Sequence, residues 1–532
     1  MLLPLMGYIL PVLLLLIVFR NYTLVPSSVP GPFLARFTNL YRFFSVLLCS
    51  PHEDQTKLHE RYGPFVRLGP DVVSIQGVSY VPQIYGIGKG FKKSNYYSVF
   101  QNIVNGKRTA SLVAMTDESD HARTKRVVAH AYSLSTLVEY EPLVDSTIRV
   151  FLHNLSDRYA RTDNICDFGQ YLQYFAFDVI GELTFSKRLG FIEHNQDVDG
   201  IISAIGSNFR YFSVLGQMPM LDELLGKNPL YIKYFRKSVS SPILVFAQKL
   251  LQERLASLEE DKAQKEDLIR NKPDFLSRFL QARKDTDEPD LTTDAKLLSY
   301  LFMNINAGSD TIASTLKAIF YYLLTHPTSL SILLQELDSA HEGGNLSTPT
   351  PTYHETQQLR YLSACIREAL RLNPALSLPL ERVVPPEGLT LSKPSSTSTI
   401  NLQPNTIVGI NPYVQHRDPS IFGPDPEAWR PERWLSSKPS LSSSSSINDN
   451  SNSNDDSDEQ EANLKRMDHA LLVFGAGKRS CLGKNIAMLE LFKVVPAVLL
   501  RFRLEFVGRG EWTVKNKWVL DQQGLKVQLE ER

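Results

Sequence analysis

From Thr292 to His326 the chain reads TTDAKLLSYLFMNINAGSDTIASTLKAIFYYLLTH, its longest helical pattern, opened by Thr and Asp at the cap positions and stopped by Pro327. Such a helix spans roughly 50 Å at 1.5 Å per residue, the width of a whole domain. It has to cross the core, so the body around it must be large. In its middle, apolar residues give way to Asn304, Asn306, Ala307, Gly308, Ser309, Asp310 and Thr311. Gly costs about 1 kcal/mol against Ala in a helix interior, and buried polar groups cost more unless paired. Two readings follow. The helix opens beside a ligand, with Ala307 and Gly308 as a small-residue face for a flat cofactor and Asp310-Thr311 as a proton path, or it kinks around water.

The rest of the chain is mostly helical with a few short strands. YGPFVRLGPDVVSIQG, Tyr62 to Gly77, alternates apolar and polar residues about Gly69-Pro70 and reads as a β-hairpin. Phe151 to Asp178 and Ile243 to Leu258 carry apolar residues at helical spacing, and Glu259 to Lys272 is a charged, solvated helix end or loop. A helix from Tyr361 to Asn373 ends at Pro374, and short strands follow up to about Gln415. The stretch 436–461 is Ser, Asn and Asp with almost no apolar residue, so it is expected to be a disordered surface insertion.

The N-terminus is apolar from Leu2 to Phe19 with no charge before Arg20. About 20 such residues are what a helix needs to cross the hydrocarbon core, and a cleaved signal peptide would carry a basic start and a small-residue cleavage site. Residues 1–20 are therefore expected to be a membrane anchor, and the prolines of VPSSVPGPF make 21–33 a stiff hinge leading to a single body, 34–532. Lys plus Arg and Asp plus Glu both number 57, with no long basic run, which excludes a nucleic-acid partner. The four cysteines are far apart with no CxxC pair, which argues against a zinc site or disulfide framework.

Several small clusters carry chemistry. Glu368 and Arg371 share a helix face in EALR, as a surface ion pair or, with Arg433 of PERW, as a buried charged triad that fixes a loop. His121, Lys125 and Arg126 lie within one helical stretch, which can hold two carboxylates or be an ordinary basic face. His416 has no partner at ligand spacing and reads as a structural histidine. In FGAGKRSCLG, Gly475, Gly477 and Gly483 allow positive-φ turns and close approach to a bulky group. Arg479 and the start of the following helix both favour the thiolate of Cys481. No local His or second Cys supports a redox or nucleophilic role.

FGAGKRSCLG resembles the haem-binding signature of the cytochrome P450 superfamily, Phe-x-x-Gly-x-Arg-x-Cys-x-Gly, at Phe474, Gly477, Arg479, Cys481 and Gly483. AGSDT resembles its oxygen-binding motif, EALR its Glu-x-x-Arg motif and PERW its Pro-Glu-Arg-Phe element, in the family's order over essentially the whole chain. HARTKRVVAHAYS and AGSDT look most like fungal secondary-metabolism members such as the pisatin demethylase group. The resemblance implies the cytochrome P450 fold, mainly α with small β-sheets, behind one transmembrane helix. It implies haem b, with Cys481 as the axial iron ligand and Phe474, Gly477 and Gly483 packing around it. Arg479, Arg382 and His121 with Lys125 would bind the propionates, with Arg126 as a substitute for Lys125. The family more often has Trp and Arg where His121 and Lys125 stand. Asp310 and Thr311 would relay protons, and Glu368, Arg371 and Arg433 would form the structural triad.

The implied function is a monooxygenase of the endoplasmic reticulum membrane, its body facing the cytosol, that inserts one atom of O₂ into a hydrophobic small molecule in secondary metabolism. Electrons would come from NADPH through a separate NADPH-cytochrome reductase, with cytochrome b5 as a further donor, docking near Lys478, His121 and Lys125. A haem-thiolate isomerase or dehydratase needs no reductase, and a membrane-tethered haem-binding protein shows no turnover. Aromatic and apolar residues from Phe91 to Val113 and Phe209 to Leu221 are the expected substrate-facing segments.

Overall fold

The computed structural model describes residues 12, 15–104, 107–228, 242–260, 274–393, 398–435, 454–508 and 510–532. The expected hairpin is present as β1 (Phe65–Gly69) and β2 (Val72–Ile75), with Phe65 opposite Ile75 and Arg67 opposite Val73. They extend into a mixed five-stranded sheet with β3 (Lys92–Lys93), β4 (Arg382–Val383) and β5 (Ile407–Gly409), in the order β1-β2-β5-β4-β3. Only β5 against β2 is parallel. At the far edge the register sets Lys93 opposite Arg382.

The N-terminal segment differs from expectation. Residues 15–23 are helical, so the helix continues past residue 20, and the proline-rich stretch is docked. Val25 and Val29 are buried with Phe65, Val73 and Ile75. Arg67, almost fully buried, donates to the carbonyls of Asn21 (2.7 Å), Val25 (3.2 Å) and Pro70 (2.7 Å), tying that segment to the sheet. Its charge is dispersed over main-chain acceptors that would otherwise be orphaned. Most of the expected anchor, 1–20, lies outside the described residues. Among the described residues no helix is long and apolar enough to cross a membrane.

The helical body is built from α1 (Leu40–Leu47), α2 (Glu118–Val128), α3 (Leu134–Leu155), α4 (Phe168–Phe185), α5 (Ile201–Leu215), α6 (Asp294–Gly308), α7 (Asp310–Thr325) and α8 (Arg360–Leu372). It continues with α9 (Asn454–Ala470) and α10 (Lys484–Arg501). The pattern from Phe151 to Asp178 is not one helix, because a π-turn and a short strand, Cys166–Asp167, separate α3 from α4. The helix expected at Ile243–Leu258 spans Pro242–Glu260, and most of the charged stretch after it lies outside the described residues. Nearly every residue of α4 is buried, against α3, α6 and α7. The long central pattern is two helices, α6 and α7, that meet at Ser309 (φ −89°, ψ −71°). Ser309 Oγ donates to the Ile305 carbonyl at 2.6 Å and Thr311 Oγ1 to the Ala307 carbonyl at 2.7 Å, so side chains take acceptors that belong to the helical ladder.

The expected disordered insertion 436–461 is corrected in part. Residues 436–453 lie outside the described ones, but 454–461 begin α9. The reason lies downstream: Leu464, Met467 and Ala470 pack against Ile421, Phe422 and Trp434, and this apolar face supports the polar turns before it. Near the C-terminus, β6 (Thr513–Lys517) and β7 (Val519–Gln523) form a hairpin whose turn holds Trp518 at φ 87°.

Candidate active site

Cys481 lies in the loop between α9 and α10. Its amide donates to the Phe474 carbonyl at 2.8 Å and closes that loop. Gly475 and Gly477 have φ of 65° and 63°, and a Cβ on Gly477 would stand 1.8 Å from the Tyr85 carbonyl oxygen, so only glycine fits there. Gly483 is different. It has φ −79°, and its Cβ would face only Cys481 Sγ, at 3.9 Å, so this glycine keeps the space around the sulfur open. The expected positive-φ turn at Gly483 is corrected accordingly.

Cys481 is exposed to the space beside it, yet the protein packed around the loop desolvates its thiol and raises it above its ordinary pKa, against the backbone N–H groups of Gly483 and Lys484 and the charges of Lys125 and Lys484. The helix start does act as expected, but it does not win, and Arg479 is engaged elsewhere. Its guanidinium donates to Glu118 Oε1 from Nε (3.0 Å) and Nη2 (2.7 Å), leaving Nη1 buried without a partner among the described residues.

Around that orphan donor, cations converge from three other parts of the chain. Lys93 of β3 donates to the Val113 carbonyl at 2.8 Å and lies 4.1 Å from the centre of the Tyr97 ring. Arg382 of β4 is buried over the Tyr85 ring. Lys125 of α2 donates to the Lys478 carbonyl at 3.0 Å. His121 is buried, and desolvation first, then the charges of Arg479, Lys93, Lys125 and Arg382, push its pKa down to about 3. It is therefore a neutral donor and not a charged one, and it belongs to no docking surface. Arg126 is exposed and absent from the cluster. The sequence reading missed Lys93 and Glu118; the Lys92-Lys93 pair inside an apolar segment was the available signal.

On α6 and α7, Asn304, Ala307 and Thr311 share one stripe at i, i+3 and i+7. Tyr132, within charge range of Cys481, donates to Asn304 Oδ1, and its carbonyl accepts from Asn485 of α10 at 3.4 Å. These contacts bring the stripe and the cysteine helix toward one space. Gly308 does not face it: its Cβ would meet Ile180 of α4 at 2.7 Å, so this glycine serves helix packing. Asp310 also turns away, accepting from Gln173 Nε2 of α4 at 2.6 Å. The sequence placed Asp310 and Thr311 together; the structure sets their side chains on different faces.

The charged triad is present and buried. Arg371 grips Glu368 with two bonds of 2.8 Å, Arg433 adds a third at 2.9 Å, and Trp434 Nε1, unforeseen, a fourth at 2.8 Å. Burial pushes the Glu368 carboxyl up, but Arg371 and Arg433 outweigh it and hold the group below the ordinary range. His416 connects this unit to the cysteine loop, as a structural histidine should.

The cytochrome P450 family model matches residues 32–529. This chain belongs to the cytochrome P450 family. It is similar to a cytochrome P450 monooxygenase of Aspergillus terreus, 39% identical over 499 residues that cover 94% of each chain. It is also similar to cytochrome P450 monooxygenase cicH of Emericella nidulans, 38% identical over 510 residues, covering 95% of this chain and 94% of that one. Cytochrome P450 monooxygenase mpaDE of Penicillium roqueforti is 38% identical over 508 residues, 95% of this chain and 55% of that longer protein.

The family's cofactor is haem, and the residues of this cytochrome P450 fit it. Like charges set opposite one another, as Lys93 and Arg382 are, destabilise a sheet unless an anion joins them. Arg479 Nη1 has no acceptor among the described residues, and Glu118 is a carboxylate that Arg479 and Lys93 share. Two propionates would supply acceptors and negative charge here, and the open space beside Cys481 Sγ would let the sulfur ligate a metal.

Proposed function

We propose that this cytochrome P450 is a monooxygenase of secondary metabolism that inserts one atom of O₂ into a hydrophobic small molecule and reduces the other to water. The two electrons come from NADPH through a separate reductase. The observation that carries this reading is the accessible Cys481 sulfur on its glycine loop, beside a cluster of cations that includes the buried Arg479 Nη1 donor, which has no acceptor among the described residues.

Cys481 would ligate haem b, while Arg479, Arg382, Lys93 and Lys125 would hold the propionates and His121 would donate a hydrogen bond. Bound there, haem supplies the redox-active iron, and thiolate ligation favours O–O cleavage. Thr311 donates its hydroxyl proton to the Ala307 carbonyl, so its oxygen lone pairs are free to accept a bond on the Asn304–Ala307–Thr311 face. The expected substrate-facing segments meet, with Phe100 4.6 Å from Phe212 and 4.7 Å from Trp518 between ring centres. These rings pack on one another in the core, and an apolar lining of this kind suits a hydrophobic substrate.

Membrane association belongs to the same reading, with the apolar run from Leu2 to Phe19 as the endoplasmic-reticulum anchor and the body in the cytosol. Exposed Leu15, Phe19, Phe33, Leu40 and Phe44 support it, since they continue that run onto the body. Exposed Lys478 with Lys125 beside it suits docking of an acidic reductase or cytochrome b5 face. Turnover with isotope-labelled O₂ tests the function: one labelled atom in the product, dependent on NADPH and reductase, is expected. Product formed without either rejects it in favour of an isomerase or dehydratase.

A further inference from the structure

A cavity of about 460 Å³ lies between α4, α5, α7 and the β6–β7 hairpin. Its inner wall is one face of α7, where Asp310, Ser314 and Lys317 stand at i, i+4 and i+7, and its rim is exposed at Ser203, Arg210 and Gln523. Its lining mixes polar side chains with the apolar Ile202, Phe209, Ala313 and Leu520. Ser314 Oγ is buried with no hydrogen-bond partner among the described residues. Lys317 is buried as well and makes no ion pair among them. Its ammonium donates to Gln173 Oε1 at 3.3 Å, and the same amide donates from Nε2 to Asp310 Oδ1 at 2.6 Å.

A buried lysine that makes no direct ion pair is costly even with Asp521, Asp310 and Asp167 in charge range, and an apolar side chain would pack there at less cost. The polar arrangement makes sense if water fills the cavity, satisfies Ser314 and meets Asp310 from the solvent side. We propose that Lys317, acting through Gln173 from the wall of this cavity, is the positioning residue that sets the charge and direction of the Asp310 carboxylate. The proposal rests on the monooxygenase reading, which requires protons at the far side of α7.

The charges around Asp310 agree with this role. Burial raises its pKa to about 6, while the Gln173 hydrogen bond and the Lys317 charge pull it back and Asp521 and Asp197 push it further up. Asp521 is itself paired with Lys517 at 2.7 Å, and Asp167 is the third carboxylate facing Lys317. A carboxyl raised in this way is suited both to take and to give a proton, and the Gln173 hydrogen bond, then the Lys317 charge, are what oppose its protonation.

The test is infrared titration of the Asp310 carboxyl in the ferric, haem-loaded protein without reductase, with Asp310→Asn assigning the band. Lys317→Met should move its midpoint up by roughly one pH unit, the effect of losing a nearby opposite charge. Gln173→Leu, which keeps the lysine and removes the bridge, should move it the same way. An unmoved midpoint in both variants overturns the proposal. In turnover, Lys317→Met should divert NADPH electrons from product to peroxide several-fold more than wild type, with unchanged haem content; equal coupling also overturns it. A wild type that consumes no O₂ with NADPH rejects the monooxygenase reading instead, and the infrared midpoint still judges Lys317 on its own.

Discussion

The imidazole of His416 bridges Arg371 and Leu472, with Nδ1 3.0 Å from the Arg371 carbonyl oxygen and Nε2 2.9 Å from the Leu472 amide nitrogen. The amide can only donate, so Nε2 accepts and Nδ1 carries the proton. One ring thereby joins the end of α8 to the strand of chain that enters the cysteine loop. Protonating Nε2 would break that join.

Stability should therefore fall in mild acid. Burial, then the charges of Arg371 and Arg417, hold the His416 pKa near about 3 against the favourable Arg371 carbonyl bond. The unfolded value is about 6.5, so the contribution is complete above that pH and is lost as pH falls from there toward the folded value. The slope is up to about 1.4 kcal/mol per pH unit. Melting temperatures of wild type and His416→Gln between pH 7 and 5 should converge as pH drops. Parallel curves would contradict the neutral bridge.

The triad should behave as a unit. Glu368→Ala leaves the buried Arg371 and Arg433 guanidinium groups without their carboxylate, and removing one partner from such a site costs about 3–5 kcal/mol. Urea unfolding should show a loss of that order. The Glu368 carboxyl is held below its ordinary pKa, so its contribution is present above the unfolded value and disappears as pH falls through the folded one.

Lys125 and Arg126 are neighbours with different fates. Lys125 lies in charge range of Arg479 and Cys481 and is fixed on the Lys478 carbonyl, whereas Arg126 is exposed. Lys125→Ala should speed transfer of haem to a scavenging protein several-fold, and Arg126→Ala should leave stability within about 0.5 kcal/mol and haem loss unchanged. Equal effects would place the wrong side chain at the propionate.

Two glycines of the cysteine loop should separate folding from cofactor binding. Gly477→Ala combines positive φ with a clash at the Tyr85 carbonyl and should destabilise the apoprotein by more than about 1–3 kcal/mol. Gly483→Ala meets nothing closer than Cys481 Sγ, at 3.9 Å. It should leave apoprotein melting nearly unchanged while lowering haem content. Melting temperature and haem-to-protein ratio, measured on both variants, decide this.

The features legible in sequence were those whose chemistry is local. FGAGKRSCLG carries its own turns, and the hairpin at Tyr62–Gly77 carries its own alternation. EALR and PERW needed each other, and the family's order supplied the pairing. What was hidden depends on which neighbour a face meets. Helical period shows that Gly308 is small, but only packing shows that Ile180 of α4, and not a cofactor, fills the space. The charge state of His121 is set by cations from β3, β4, α2 and the cysteine loop, which no local window contains. The break at Ser309 arises from hydroxyls competing for helix carbonyls, a choice that composition permits but does not dictate.

The most direct test of the account is the absorption spectrum of the reduced, CO-bound protein. Thiolate ligation by Cys481 predicts the strongly red-shifted Soret band of a haem-thiolate protein in the wild type and its loss in Cys481→Ser. A histidine-type Soret band in the wild type, or a red-shifted band that survives Cys481→Ser, would contradict it.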